Sequence, residues 1–428
     1  MRTLNIFDYI IFIFSTINLI RMGIFLIGSD VYLLTAHLAL KKKHQETYQP
    51  IVSVIIPAHN EEKTIVRAMN SVITNTYSFK KLELIVIDDG SSDNTYKLAS
   101  EYIKRHPHNK ILVVRQENAG KAHALNNGIK NYSHGQLIMC LDADSFISSN
   151  AIENSVSYFR DPTVKGVSAN IKIINQKTLL NYIQKFEYII TYQMKRAQTV
   201  FNIEYIIGGI GSMYRKAMLK KIQYYDTNTV TEDIDLTMKV LQHGNKKNRV
   251  IYAADVVAYT ESCLSIQALI RQRFRWKWGR YQTFLKNSNM FFNRNKKYTK
   301  PLTCIYLPYA LYGDFAFFFE PIIIGYILYV TIHYRDLFTL LTACIVLSIY
   351  TAINILAEDT IDIGEKILLV VFSPLMYVLL YIMSFVEYVA LLKSLGQMHT
   401  LRQSLEDGIC NWKHVERPNR LSIIPEYE

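Results

Sequence analysis

Cysteine is scarce in this chain and its spacing is unpaired: five in 428 residues, at Cys140, Cys263, Cys304, Cys344 and Cys410. An odd number with no pair spacing implies neither a disulfide framework nor a zinc site. A nucleic-acid-binding module is also missing, so the net charge of +12 needs another partner. The Lys and Arg residues are dispersed except at Lys41-Lys42-Lys43 and across 293–300, both beside apolar segments. That placement points to an anionic membrane surface rather than to nucleic acid. A signal peptide fits the start badly, because the apolar stretch is too long and no small-residue cleavage site follows it.

Apolar residues are present in blocks. Half of the chain is hydrophobic, concentrated before residue 40 and between about 302 and 392. Residues 50–290 have the mixed composition of a soluble domain, long enough to bury its own core. Segments 337–356 and 367–391 each supply the roughly 20 apolar residues of a membrane span. The stretch 301–332 is longer than one span and carries Asp314, Glu320 and Pro321. It is expected to be an interfacial or re-entrant helix leading into a span near 312–332. Its two acids would face protein or a water-filled path, or else lie at headgroup level. The first 40 residues are read as one span plus an interfacial piece, with Lys41-Lys42-Lys43 on the cytoplasmic side. The protein is then a multi-pass protein of the plasma or inner membrane with its middle domain in the cytosol. The tail from 393 carries five basic and five acidic residues and does not orient itself. The expected divisions are a membrane segment (1–45), the soluble domain (46–290), interfacial and transmembrane helices (291–392) and a tail (393–428).

Within the soluble domain, 51–56 is a β-branched run closed by Pro57, a strand by pattern. A helix over 61–75, a strand over 82–87 and a helix over about 92–105 follow, the last capped by Ser91 or Ser92. A strand at 111–114, a helix from about Lys121 and a strand at 137–141 complete another unit. This alternation predicts an α/β domain with a mostly parallel, Rossmann-like sheet covered on both faces. Ligands on such sheets bind beyond the carboxyl ends of the strands, where two acidic patches begin.

The first patch, Asp88-Asp89-Gly90, reads either as a turn before a helix cap or as carboxylates for a base or ribose. The second, Asp142-Ala143-Asp144, sets two like charges at a strand end, which repel unless a cation or donor lies between them. Oxygen ligands of this kind suit Mg²⁺ or Mn²⁺, which neutralise a diphosphate. Asn118-Ala119-Gly120-Lys121 opens a helix: its N-terminus favours anions and Lys121 suits a phosphate, although a plain helix start with a solvated lysine reads equally well. Thr231-Glu232-Asp233 begins a helix over about 232–243, with Thr231 as N-cap and acids in the first turn. It also offers Asp233 as a base for a sugar hydroxyl, with Glu232 supporting it or binding the acceptor. In Gln272-Arg273-Phe274-Arg275-Trp276, Arg275 can grip a diphosphate bidentately and Trp276 presents a flat face to a sugar ring. The alternative for that motif is an Arg/Trp belt at a membrane surface. Gly208-Gly209-Ile210-Gly211-Ser212 is a low-bulk stretch where an acceptor can approach backbone.

In this order the DDG, DxD, TED and QxxRW motifs resemble the processive members of glycosyltransferase family 2, which include cellulose, chitin, hyaluronan and poly-N-acetylglucosamine synthases. The resemblance covers about 50–290 and extends into the flanking membrane layout. Each motif is weak alone, but all four in order between membrane segments are specific. PAHNEE (57–62), ENAGKAHALNNGI (117–129), MCLDAD (139–144) and TEDIDLTMKV (231–240) look most like bacterial poly-β-1,6-N-acetylglucosamine synthases and related chitooligosaccharide synthases. The resemblance implies a GT-A domain and an inverting, processive transfer of N-acetylglucosamine from UDP-N-acetylglucosamine to a growing, exported polysaccharide. It implies Asp88 or Asp89 at uracil or ribose, and Asp142 and Asp144 at the diphosphate through Mg²⁺ or Mn²⁺, with Asp144 the direct ligand. It also implies Asp233 as general base, and Gln272, Arg275 and Trp276 at the acceptor end and diphosphate. Membrane lipid and a small membrane partner subunit are the other partners implied. His59, where many relatives have Tyr, and GGIGSM (208–213) depart from the common pattern and leave sugar and linkage open. A hyaluronan, chitin or cellulose-type synthase, a single-transfer enzyme acting on a lipid carrier, or a nucleotide-sugar-binding subunit of an export complex are the rival readings.

Overall fold

The alternating apolar strands assemble into one eight-stranded sheet of order β3-β2-β1-β4-β7-β6-β8-β5. The computed structural model describes residues 6–42, 48–174, 178–335, 337–358 and 360–406. The strands are β1 (Val52–Ala58), β2 (Leu82–Asp89), β3 (Lys110–Gln116), β4 (Leu137–Cys140), β5 (Phe146–Ile147), β6 (Val164–Ile173), β7 (Ser212–Arg215) and β8 (Arg249–Thr260). β1 pairs in parallel with β2 and β4, β2 with β3, and β6 with β8. β7 runs antiparallel between β4 and β6, and β5 antiparallel against β8. The four expected strands form an all-parallel half; the other half, in which β7 and β5 run antiparallel beside the parallel pair β6 and β8, was not anticipated strand by strand.

Helices cover both faces, as parallel strands require. In chain order they are α1 (Ile6–Lys42), α2 (Ile65–Ile73), α3 (Thr95–Arg105), α4 (Lys121–Asn127), α5 (Ala151–Tyr158), α6 (Leu179–Phe201), α7 (Lys216–Lys221), α8 (Glu232–Gln242) and α9 (Ile266–Lys286). Alternate residues of a strand feed opposite faces. Val54, Ile56, Leu84 and Val86 pack with α2, α3 and α5, while Ile55, Ile85 and Ile87 pack with α4, α7 and α8. The cap of α3 falls at Asn94 rather than Ser91 or Ser92. Asp93 accepts the Thr95 amide at 2.9 Å, and Ser91 Oγ is instead taken by the Asn60 amide at 3.0 Å, a local side-chain-to-backbone bond that sets the helix start.

The flanking helices are α10 (Leu307–Phe318), α11 (Glu320–Tyr334), α12 (Leu337–Leu356), α13 (Ile363–Val371), α14 (Ser373–Gly396) and α15 (Leu401–Glu406). Among the described residues two helices are long and apolar enough to cross a membrane, Ser15–Thr35 and Ser373–Gly396, and up to three if the pair Pro301–Phe318 and Glu320–Tyr334, bent by 51°, is one span. α1 is a single helix of 37 residues rather than a span with a separate interfacial piece. Its inner end is part of the domain: Ser29 Oγ donates to Gln193 at 3.1 Å, and a Cβ on Gly28 would stand 2.7 Å from Ala197 Cβ. The bend between α10 and α11 lies next to Pro321, which lacks an N–H and clashes with the preceding turn. Pro374 has the same effect within 367–391: the expected span begins at Ser373 rather than 367 and runs to Gly396, a break at Phe372 separating it from α13. α12 keeps the boundaries expected of it, its stretch Cys344–Leu356 being a shorter apolar helix. Ile332 is 76% and Phe338 80% exposed, large apolar surfaces that suit a membrane or partner interaction. Lys43, Cys410 and the tail beyond 406 lie outside the described residues.

Candidate active site

A cavity of about 560 Å³ opens beyond the carboxyl ends of β1 and β4. Pro57 and His59 follow β1 into it, Asp142 and Asp144 follow β4, and Gly120-Lys121 enters at the start of α4. Glu232 and Asp233 reach it from the start of α8, and Gln272, Arg275 and Trp276 from α9. The cavity therefore unites Lys121, Asp142, Asp144, Glu232, Asp233, Gln272, Arg275 and Trp276. Asp88 and Asp89 are not among its lining residues.

Lys121 stands at the centre of the acids. Its Nζ lies 2.8 Å from Asp142 Oδ1 and 3.0 Å from Glu232 Oε1. Burial alone would lower the Lys121 pKa, but Asp142, Glu232 and Asp233 outweigh it and raise it. Burial pushes the Glu232 carboxyl up, and the Lys121 ammonium more than reverses this, leaving it below its ordinary value. Asp233 goes the other way. Burial first, then the neighbouring Glu232 and Asp142 charges, raise it to about 6 against the lowering effect of Lys121 and the Ile234 amide. Two acids adjacent in sequence are thus split, one held ionised and one poised near neutrality, as acid–base chemistry needs. Asp233 is fixed by backbone: Gly209 N–H donates to Oδ2 at 3.0 Å and Ile234 N–H to Oδ1 at 2.8 Å. Thr231 occupies the N-cap position, but its hydroxyl makes no cap bond and is buried without a partner.

The DDG acids work from behind the cavity. Asp89 accepts N–H groups from Ala119 at 2.9 Å and Gly120 at 2.7 Å, and the Gln116 amide at 2.7 Å. Its backbone oxygen meets the His59 ring at 2.7 Å. Gly90, at φ 68°, brings Asn118 so near that a Cβ would be 2.8 Å from its backbone nitrogen, a place only glycine can fill. Asp88 is fully buried and ion-paired with Arg115 at 3.2 Å. Together these contacts set the turn that delivers Lys121.

α9 is held by ion pairs that the motif alone does not reveal. Arg273 pairs with Glu187 of α6 at 2.7 Å and Glu387 of α14 at 3.3 Å, and lies over Trp276 at 4.2 Å from the ring centre. Lys277 pairs with Glu387 at 2.8 Å and Asp314 at 3.1 Å, and Arg280 also pairs with Asp314. Asp314 therefore faces protein, and the QxxRW helix joins the cavity wall to the membrane helices rather than forming a free surface belt. Arg275 keeps a buried Nε without a hydrogen-bond partner. Gly279 lets α9 approach α8: a Cβ there would lie 2.3 Å from Thr231 Oγ1 and 2.5 Å from its Cγ2. Gly279→Ala is expected to cost about 1–3 kcal/mol through overpacking and to lower activity about tenfold or more by displacing Glu232 and Asp233. Melting and turnover of the purified variant in detergent measure both, and an unchanged enzyme would refute the close-packing argument.

Sequence reasoning missed several lining residues: Glu187, Tyr192, Lys195, Glu204, Tyr306 and Glu387. They come from α6, the loop after it, the segment before α10, and α14, and carry no local signature. For a metal, no group of three or more His, Cys, Asp or Glu converges among the described residues. Asp142 and Asp144 offer carboxylate oxygens, Asp144 Oδ1 being oriented by the Ser145 hydroxyl at 2.8 Å. One or two carboxylates completed by substrate phosphates is how Mg²⁺ and Mn²⁺ are ordinarily held, so the donor set fits.

Residues 53–223 match the profile described as Glycosyl transferase family 2. The poly-beta-1,6-N-acetyl-D-glucosamine synthase of Staphylococcus epidermidis is 31% identical over 288 residues, covering 66% of this chain and 68% of that protein. The protein of the same description from Staphylococcus aureus (strain COL) is 33% identical over 253 residues, 59% of each chain. The aligned part thus spans about three fifths to two thirds of these relatives' length. Among solved structures, a mannosyltransferase of Pyrobaculum calidifontis in complex with GDP-Man and Mn²⁺ superposes with a TM-score of 0.52 at 19% identity, over 88% of this chain and 96% of that one. At that identity the likeness is one of fold.

Proposed function

The chain belongs to glycosyl transferase family 2, and from that membership we propose that it polymerises N-acetylglucosamine from UDP-N-acetylglucosamine into an exported poly-N-acetylglucosamine-like chain. The observation that carries the reading is one cavity holding a base near neutrality, a lysine amid three carboxylates and the QxxRW side chains. A module that only binds nucleotide sugar needs no such base.

The bound donor lies with its diphosphate between Lys121 and Arg275, whose charges offset those of the leaving group. Mg²⁺ or Mn²⁺, held by Asp144 with Asp142, supplies further neutralisation of that group when bound. Asp89 serves the uracil and ribose end through the 118–120 turn and His59, which it braces, and Asp88 supports it from behind through its pair with Arg115. Trp276 and Gln272 seat the acceptor end, with Glu232 beside it. As the bond from the anomeric carbon to the diphosphate oxygen breaks, the acceptor oxygen bonds to that carbon from the opposite face. The proton of the acceptor hydroxyl passes to Asp233 and UDP departs with the electron pair. A single displacement of this kind inverts the anomeric centre. Gly209 forms the floor: a Cβ there would meet Lys121 Nζ at 3.1 Å, so backbone is what the substrate approaches.

The membrane assignment extends the reading. A multi-pass protein of the plasma membrane, its catalytic domain cytosolic beside the lipid and a small membrane subunit as partner, accommodates the apolar helices and the cytosolic donor.

Incubation of membranes carrying the protein with radiolabelled UDP-N-acetylglucosamine and Mg²⁺ or Mn²⁺ tests the proposal, with UDP-glucose and UDP-glucuronate alongside. High-mass product is expected from the first donor alone, cleaved by a β-1,6-specific hydrolase and lost when EDTA is added. Incorporation from another donor alone would move the enzyme to a sister synthase.

A further inference from the structure

The same cavity is lined in part by an arm of residues outside the four motifs. Here the wall is made by α6, the 204–206 segment and the segment leading into the membrane helices, with Tyr192, Tyr205 and Tyr306 among the lining residues. Tyr205 and Tyr306 meet edge to face at 5.7 Å, and Gln198 donates to the Tyr306 hydroxyl. At this wall lies Glu204, only 2% exposed. Its Oε1 is fully engaged, taking Lys195 Nζ at 3.0 Å and the Ile206 amide at 3.1 Å. Lys195 is itself locked by the Ile206 carbonyl at 2.7 Å. Oε2 is buried and has no hydrogen-bond partner.

A buried carboxylate oxygen left unmatched is costly, and in a native protein it implies a donor in the working complex. Lys195 offsets the charge and the backbone of Ile206 fixes the orientation, so the oxygen is preorganised. Its surroundings are flat aromatic faces, which suit a sugar ring, and the missing partner is a hydroxyl or amide N–H. The donor nucleotide is an unsuitable occupant, since the partners of Glu204 lie on α6 and within 204–206, none on the β1, β4 or α4 side that carries Lys121 and the DxD acids. We infer that Glu204 Oε2 receives a hydrogen bond from a hydroxyl or acetamido N–H of an acceptor saccharide, making it a specificity-determining residue of the acceptor arm. The inference rests on the glycan-synthase reading above and adds to it a residue outside every motif.

The test uses the full-length protein in detergent or nanodiscs, with a β-1,6-linked N-acetylglucosamine pentasaccharide as probe and UDP-N-acetylglucosamine binding measured in parallel. Loss of one charge-assisted hydrogen bond predicts that Glu204→Gln weakens pentasaccharide binding about 10- to 100-fold while donor binding stays at the wild-type value, the melting temperature falling because the Lys195 ammonium loses its buried partner. Lys195→Met, which leaves the oxygen present but misplaced, is expected to weaken the pentasaccharide without changing the donor. Unchanged pentasaccharide affinity in Glu204→Gln would overturn the inference, and so would an equal loss of donor and acceptor binding. Should the wild type ignore this pentasaccharide but bind cellopentaose in a Glu204-dependent way, the acceptor arm would stand and the choice of polymer would fall.

Discussion

Asp233→Asn is expected to lower the turnover of polymerisation by about 10²–10⁴-fold, the range associated with a positioned general base, while UDP-N-acetylglucosamine binding changes little. Asn preserves the shape of the side chain but has one carbonyl oxygen where Asp233 uses two, so it can keep the Ile234 bond at the start of α8 and gives up the Gly209 bond. What it removes is the ability to take a proton. The pH dependence gives an independent reading of the same residue. Asp233 is pushed up to about 6 by burial and by the Glu232 and Asp142 charges, and only its ionised form can act as base. Activity is therefore present above about pH 6 and falls roughly tenfold per unit below it. A bound divalent cation would displace that limb downward by favouring the carboxylate. Steady-state rates from pH 5 to 8 in wild type and variant check both points. Full activity in Asp233→Asn, or an acid limb that survives unchanged on its residual rate, would remove Asp233 from the chemistry.

The same acids show what could be read from sequence. Strand ends were legible because β1, β2 and β4 are buried along their whole lengths, so their apolar runs stop where the chain leaves the core. Asp142 and Asp233 then announced themselves by position. Lys121 followed from a glycine before a helix, and the structure adds that it bridges acids from two other elements. The roles of Asp88 and Asp89 were not legible in the same way. A DDG looks alike whether it meets a ligand or clamps the amides of Ala119 and Gly120, and the clamp depends on a loop some 30 residues away. The ladder of Arg273, Lys277 and Arg280 against Glu187, Glu387 and Asp314 lay further from reach, because its acids come from α6, α14 and α10. Glu204 belongs to the same class: its meaning is an unmatched oxygen, which exists only once Lys195 and Ile206 have been placed. On the membrane side, Pro374 was within a segment read as continuous, and its missing N–H decided the break that hydropathy averages away.

Replacing Lys121 by Met should be the most damaging single change outside the base, and its signature differs from that of Asp233→Asn. The ammonium lies 2.8 Å from Asp142 and 3.0 Å from Glu232, and Asp233 is the third carboxylate acting on it. Met keeps much of the volume of the stem and leaves three acids facing one another in a half-dry cavity. Stripping such a cluster of its cation costs about 3–5 kcal/mol, which the protein can reduce only by taking up protons. Both acids that Lys121 now holds down would then titrate higher, so the acid limb of activity moves to higher pH in this variant. At neutral pH a loss of about 10²–10³ in kcat/KM is expected, and much of it in KM, because the diphosphate loses its point charge as well. Raising Mg²⁺ or Mn²⁺ should recover part of that loss, since a divalent ion at Asp142 and Asp144 restores positive charge at the same spot. Asp233→Asn has no such rescue, its defect being the absent base rather than the field around it. Turnover of the two variants across metal concentration and pH separates the roles: an acid limb that stays in place in Lys121→Met, together with unchanged donor KM, would remove Lys121 from both the tuning of Asp233 and the binding of the diphosphate.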